Sequence, residues 1–204
     1  MGRNRADRPQ GAKPLRLFVA VDVPEDVKTA LAGAIAPFRD PVPARWTNPN
    51  GWHLTLKFLG TTWPRVVDGV REAVSVAAQA ADPFVSSLTE VGAFPSAKRA
   101  RVLWAGLADP EARFARLAEA LDGALAEHFM VEQRAFVPHL TLAKLSPARD
   151  VREFAPGLIG MAVPSRPFPV ERLVLYRSHL SPRGATYEPL LEAPLGTGVP
   201  GRGR

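Results

Sequence analysis

His53-Leu54-Thr55-Leu56 returns further along the chain as His139-Leu140-Thr141-Leu142. Successive side chains of a β-strand point to opposite faces, so His53 and Thr55 share one face while Leu54 and Leu56 enter the core behind it. His139 and Thr141 do the same in the second copy. Two such strands brought together line a cleft with two imidazoles and two hydroxyls, a set that suits phosphodiester chemistry. With an unperturbed pKa of about 6.5, one imidazole can take a proton from an attacking oxygen while the other, protonated, gives one to the leaving oxygen. The hydroxyls can donate hydrogen bonds to the non-bridging phosphate oxygens, where charge grows in the transition state. No metal or cofactor is required.

A single His-x-Thr would describe the wet face of any half-buried strand. Repetition weighs against that reading: the chain has four histidines, at 53, 128, 139 and 179, and two of them open identical tetrapeptides. Two other functions stay open at this level. A metal hydrolase could use His53 and His139 as ligands, although zinc sites normally need a third protein ligand and neither motif is accompanied by His-Glu-x-x-His or clustered carboxylates. A non-catalytic module that binds RNA ends would explain the basic chain ends but gives no reason for two histidines. The absence of cysteine removes disulfides, thiolate zinc sites and a cysteine nucleophile together.

The elements that must position the motifs are legible in order. Leu15 to Val21 reads as a strand, and Pro24-Glu25-Asp26 opens a helix whose apolar face is Val27, Leu31 and Ile35. Asn48-Pro49-Asn50-Gly51 is turn chemistry before the first motif strand, which runs to about Leu59 and stops at Gly60. Helices are expected over Pro64 to Ala81 and Glu111 to Phe129, a hairpin over Phe84 to Phe94 and Arg101 to Leu107, and the second motif strand over Phe136 to Lys144. Pro147 to Pro164 reads as one helical turn and a loop. Phe168 to Leu180 and Ala185 to Leu191 close the chain as paired strands around Ser181-Pro182-Arg183-Gly184. The fold class is α+β, with mainly antiparallel strands. The order fits two related lobes or one continuous sheet.

At 204 residues the chain can bury one sizeable core or two small fused lobes. It contains no apolar run of about 18 residues that would span a membrane. Its polar, arginine-rich start lacks the apolar stretch of a secretory signal, so a cytoplasmic protein is expected. The formal net charge of +6 is concentrated at the ends: residues 1–14 carry +3, Arg202 and Arg204 add +2, and residues 15–193 hold +1. Residues 1–14 and 192–204 are accordingly expected to be flexible tails around a body spanning 15–191. Phosphate recognition in that body must come from a few placed groups rather than a broad basic face.

The sequence resembles the two-histidine phosphoesterase superfamily, and within it the RNA 2′,3′-cyclic phosphodiesterase family, also called 2′-5′ RNA ligases. The resemblance rests on Leu17 to Asp22, Arg45-Trp46, His53 to Gly60, Arg101 to Trp104, Arg134 to Lys144, and Leu175 to Ser178 leading to Gly184 and Tyr187. It implies two pseudo-symmetric lobes of mainly antiparallel strands, helices packed outside, around a central groove that receives a 2′,3′-cyclic phosphate. In that pattern His53 is the proton donor to the leaving 3′ oxygen and His139 the acceptor that activates water, leaving a 2′-phosphate, while Thr55 and Thr141 hold the phosphate. Relatives usually have arginine five residues after the second motif histidine; here Lys144 stands there, keeping the charge without the bidentate fork.

The implied partners are RNA ends with a cyclic phosphate, tRNA fragments among them, or small cyclic nucleotides, with 2′-5′ ligation as the reverse use of the same site. A monomer without cofactor is expected. Phe58 shares parity with Leu54 and Leu56 and is assigned to the core. His128 is read as a structural cation at a helix end, and His179 as a peripheral substrate contact. Lys98, Arg101 and Arg134 are candidates for contacts to an RNA backbone.

Overall fold

The computed structural model describes residues 13–181 and 184–196. Its strands are β1 (Leu15–Asp22), β2 (Arg45–Trp46), β3 (His53–Thr62), β4 (Phe84–Ser86), β5 (Leu88–Phe94), β6 (Ala100–Leu107), β7 (His139–Arg149), β8 (Phe168–Val170), β9 (Arg172–Ser181) and β10 (Gly184–Pro194). The helices are α1 (Glu25–Arg39), α2 (Val67–Gln79), α3 (Arg113–Ala124) and the single turn α4 (Val151–Phe154). Val27, Leu31 and Ile35 are the buried face of α1, as their spacing requires, and Val70, Val74 and Ala77 are buried on α2.

The main sheet is antiparallel throughout and runs β10-β9-β1-β3-β7-β6-β5, with β2 also paired to β7; β4 and β8 form a separate pair. The two motif strands are therefore neighbours at its centre. They touch narrowly, through the one registered pair Leu54↔Leu140. Further along, the same edge of β7 is taken by β2, with Arg45 opposite Lys144 and Trp46 opposite Ala143. One half of the sheet, β10-β9-β1-β3, thus meets the other, β2 with β7-β6-β5, at a single point. This resolves the choice between lobes and sheet: one sheet, made of two related halves joined at Leu54 and Leu140. Behind it α2 packs on α3, β9 and β10, while α3 packs on β3.

The halves share more than the tetrapeptide. In both motif strands the first seven residues alternate burial in the same way, with two consecutive buried residues at positions four and five. The cause is a pair of bulges. The β1–β3 register skips Leu56 between Thr55 and Lys57, and the β6–β7 register skips Leu142 between Thr141 and Ala143. Each bulge reverses the strand's parity, so a residue five after each histidine returns to the histidine face. Those residues are Phe58 and Lys144. Phe58 is 54% exposed, which corrects its assignment to the core.

Other boundaries move for local reasons. Asp109 accepts hydrogen bonds from the backbone of Phe114 and Ala115, at 2.7 and 3.3 Å, and so starts α3 at Arg113 instead of Glu111. That helix ends at Ala124, leaving the exposed His128 in the turn beyond it, not on a helix end. The expected strand over 84–94 divides at Ser87, because Phe84–Ser86 leaves the main sheet to pair with β8. Ladder pairing carries β10 to Pro194 and buries Ala193 and Leu195, so residues 192–196 belong to the folded body, where a flexible tail was expected. Residues 1–12 and 197–204, and Pro182-Arg183 of the expected turn, lie outside the described residues.

Candidate active site

Because Leu54 and Leu140 face each other and both enter the core, the residues flanking them emerge together on the opposite face. These are His53, Thr55, His139 and Thr141, all half-buried. The spacing within each motif and the single contact between the strands thus bring all four expected side chains to one place.

The two histidines are held identically. His53 Nδ1 lies 2.8 Å from the carbonyl oxygen of Gly51, and His139 Nδ1 lies 2.7 Å from that of Val137. A carbonyl only accepts, so Nδ1 carries the hydrogen in both rings, and in the neutral form Nε2 presents a lone pair. Among the described residues neither Nε2 atom has a hydrogen-bond partner, nor does either threonine hydroxyl. Both rings also lean on an aromatic side chain from another strand of the same half-sheet. Phe18 of β1 stacks on His53 with centroids 4.7 Å apart, and Phe94 of β5 meets His139 edge-on at 5.1 Å. Phe94 in turn packs on Trp104, whose indole lies across Gly92, where a Cβ would collide with it.

The surroundings of His53 are the more enclosed. Tyr187 presents its edge to the ring at 5.0 Å, and Tyr176 stacks at 6.1 Å. Burial pushes the His53 pKa down from 6.5 to about 4; the Gly51 carbonyl and the Asp22 carboxylate oppose this, and Lys28 adds to it. Asp22 is the cross-strand partner of His53, and its carboxylate accepts from the Tyr176 hydroxyl at 2.8 and 2.9 Å. Burial and that carboxylate push the Tyr176 pKa upward, so the phenol keeps its proton. Asp22, Tyr176 and Tyr187 were visible in the sequence only as parts of the family resemblance. Nothing in local periodicity brings residue 187 to residue 53.

Lys144 is exposed on the histidine face, and Arg45, its neighbour across β2, shares that face. Among the described residues neither has an acidic partner. Two of the other candidates are engaged within the protein. His179 is bonded to Glu188 at 2.7 Å, and Arg134 is held by Glu132 at 3.1 Å. Arg101 and Lys98 are exposed. Lys57, next to Phe58, turns the other way and is buried against Asp122 of α3 and the Met130 carbonyl. Among the described residues no three His, Asp or Glu side chains are grouped as a metal site would need, and no helix is long and apolar enough to cross a membrane.

Comparison with known proteins places the chain among relatives. An RNA 2′,3′-cyclic phosphodiesterase of Thermus thermophilus is 36% identical over 186 residues, covering 85% of this chain and 86% of that protein. One from Geobacillus stearothermophilus is 28% identical over 92% of this chain but 61% of its own length, so this chain spans about three fifths of that relative. The crystal structure of TT0787 of Thermus thermophilus superposes with a TM-score of 0.73 at 32% identity, covering 91% of this chain and all of that one. Residues 21–182, which include both motifs, match the family model, and the chain belongs to the 2′-5′ RNA ligase superfamily.

Proposed function

We propose that the protein hydrolyses RNA 2′,3′-cyclic phosphate ends to 2′-phosphates without a metal ion, with His53 as acid and His139 as base. The observation that carries this reading is the twinned tautomer: two imidazoles each fixed by a backbone carbonyl, with Nε2 atoms that have no partner among the described residues, on the face that also carries two threonine hydroxyls without a partner among those residues. The relatives named RNA 2′,3′-cyclic phosphodiesterase support the substrate class.

His139 Nε2 takes a proton from water as it attacks phosphorus, and His53 Nε2 gives a proton to the departing 3′ oxygen. Thr55 and Thr141 donate to the non-bridging oxygens, and Lys144 supplies a cation beside them. In the empty site, His53 is neutral near pH 7 because burial disfavours its charged form. The anionic substrate supplies the missing counter-charge, so His53 gains its proton as the phosphate enters. The acid is thereby armed by the substrate itself.

The test is incubation of EDTA-treated protein with RNA ending in a 2′,3′-cyclic phosphate, followed by identification of the product. A 2′-phosphate is expected. A 3′-phosphate would overturn the acid and base roles, and activity restored only by added zinc would overturn metal independence.

A further inference from the structure

We propose that the far end of the second half-sheet, away from the histidines, binds the phosphate backbone of a base-paired RNA stem. The inference rests on the reading that the substrate is an RNA end. Six cations gather there: Arg45, Lys98, Arg99, Arg101, Lys144 and Arg149, all exposed. Strand register brings them together. Arg45 pairs with Lys144, Lys144 with Val102 next to Arg101, and Arg149 with Ala100, between Arg99 and Arg101. The turn Ala97–Arg99, which holds Lys98 and Arg99, packs on β7.

Among the described residues none of the six has an ion-paired carboxylate. The adjacent acid, Asp150, is bound at 2.6 Å by Arg152, which holds its carboxyl below the usual carboxylate range, with Lys98 adding to the effect. The first half differs. Its Arg172 and Arg177 face Glu192 and Glu188 at 3.2 and 3.6 Å, and Arg16 lies over Phe58, 4.8 Å from the ring centre. So although residues 15–193 sum to +1, the far end of the second half carries a local field that attracts a polyanion.

The kind of polyanion follows from what else is exposed. The exposed aromatic side chains among the described residues, Phe58 and Tyr187, both belong to the first half. Trp46, next to Arg45, is half-buried, with Arg39 over its ring at 5.5 Å. Single-stranded RNA is bound largely by stacking its bases on aromatic rings, a duplex by contacts to its phosphates and sugars. Cations without an exposed aromatic neighbour therefore fit a stem. Along β7, at the usual rise per residue, Lys144 lies about 16 Å and Arg149 about 30 Å from His139. Unpaired nucleotides must bridge the first of these distances. The geometry thus suits a cyclic phosphate on a short unpaired 3′ end beside a stem, whatever the base sequence of that stem.

The test uses two RNAs of equal length ending in a 2′,3′-cyclic phosphate, one a hairpin with a short unpaired 3′ end and one without secondary structure, beside a nucleoside 2′,3′-cyclic phosphate. The hairpin should exceed the unpaired RNA at least tenfold in kcat/KM. The double variant Arg99→Gln with Arg149→Gln should lose at least tenfold on the hairpin and less than twofold on the nucleoside substrate. Equal losses on all three substrates, no loss on the hairpin, or a loss on unpaired RNA as large as on the hairpin would overturn the proposal. Binding is read separately, by fluorescence anisotropy with the same hairpin ending in a 2′-phosphate. Affinity should fall steeply with salt, and the slope of log affinity against log salt should shrink by about one for each arginine removed, whereas Arg149→Lys should keep it. An unchanged slope in the double variant would overturn backbone contact. So would binding to phosphatidylserine vesicles that depends on Arg99 and Arg149, without binding to the hairpin. Hairpin binding without hydrolysis of any substrate overturns the proposed activity and leaves the stem surface standing. Hydrolysis of all three substrates without hairpin preference overturns the stem surface alone.

Discussion

Trp52 donates its indole N–H to the Thr47 hydroxyl at 2.7 Å, and that hydroxyl lies 2.9 and 2.8 Å from the Thr141 and Leu142 carbonyl oxygens of β7. The residue before His53 is thus tied to the strand that carries His139, close to where the two halves of the sheet meet. Trp52 is 2% exposed, so its N–H has no ready access to water if Thr47 is lost. Thr47→Val should cost about 1–3 kcal/mol in urea unfolding, the penalty for stranding a buried donor. Thr47→Ser should stay near wild type. Equal stability of the valine and serine variants would show that the bridge contributes nothing.

A second tie is ionic. Lys57 follows Leu56, the bulge residue of β3, and reaches the Asp122 carboxylate on α3, with both side chains largely out of water. Removing one partner leaves an unpaired buried charge, so Asp122→Ala should destabilise by about 3–5 kcal/mol. The double change Lys57→Met with Asp122→Leu should lose less than that single change, measured by urea unfolding. A double variant as unstable as Asp122→Ala would mean that packing, not charge, sets the cost.

Much of this was legible before any coordinates. Helical spacing gave the buried faces of α1 and α2, and the repeated tetrapeptide gave the four side chains that share one face at the meeting point of β3 and β7. The misassignment of Phe58 has a clear physical origin: strand parity assumes unbroken alternation, and one extra residue at Leu56 inverts it. The twin bulge at Leu142 is why Lys144 stands on the histidine face. Strand order was not legible, because β9 reaches β1 from more than 150 residues away in sequence, as in the Asp22–Tyr176 bond, and brings β10 with it. Burial of His53 depends on that return, so its lowered pKa could not be read from the motif.

That lowered pKa links His53 to stability. The folded protein holds its proton only below about pH 4, whereas the unfolded chain binds one below about 6.5. Between these values the unfolded state binds more protons, so unfolding free energy falls as pH falls through that window and levels off beneath it. The contribution is up to about 3 kcal/mol. Urea unfolding at pH 7.5, 5.5 and 4 should show His53→Gln less acid-sensitive than wild type by that order. Parallel pH dependences would show that His53 is not held neutral.

Lys144 and Arg45 are adjacent cations on the histidine face. Lys144→Ala should weaken phosphate binding about tenfold, the worth of one charge-assisted hydrogen bond, and Lys144→Arg should keep or raise activity by restoring a fork. Adding Arg45→Ala to Lys144→Ala should deepen the loss. Isothermal titration with inorganic phosphate measures each step; an unaffected Lys144→Ala would show that the lysine points away from the groove.

The sharpest expectation concerns the two histidines together. Replacing either His53 or His139 by alanine should lower turnover by about 10² to 10⁴, the usual worth of a positioned proton-transfer group. If the two act as a unit, the double variant should be no worse than the worse single. The pH profile separates their roles. Reaction needs His53 protonated and His139 neutral, so kcat/KM should be bell-shaped, and because it reports the empty site, one limb should sit near pH 4, where free His53 titrates. Bound phosphate stabilises the His53 cation, so the matching limb of kcat should lie at higher pH. Without His53 the fall in rate at rising pH should vanish, because no acid remains to lose its proton. Without His139 the fall at low pH should vanish, because no base remains to gain one. A wild-type profile that climbs steadily to about pH 9 would instead indicate an activated hydroxide, and neither histidine could then hold the role given to it.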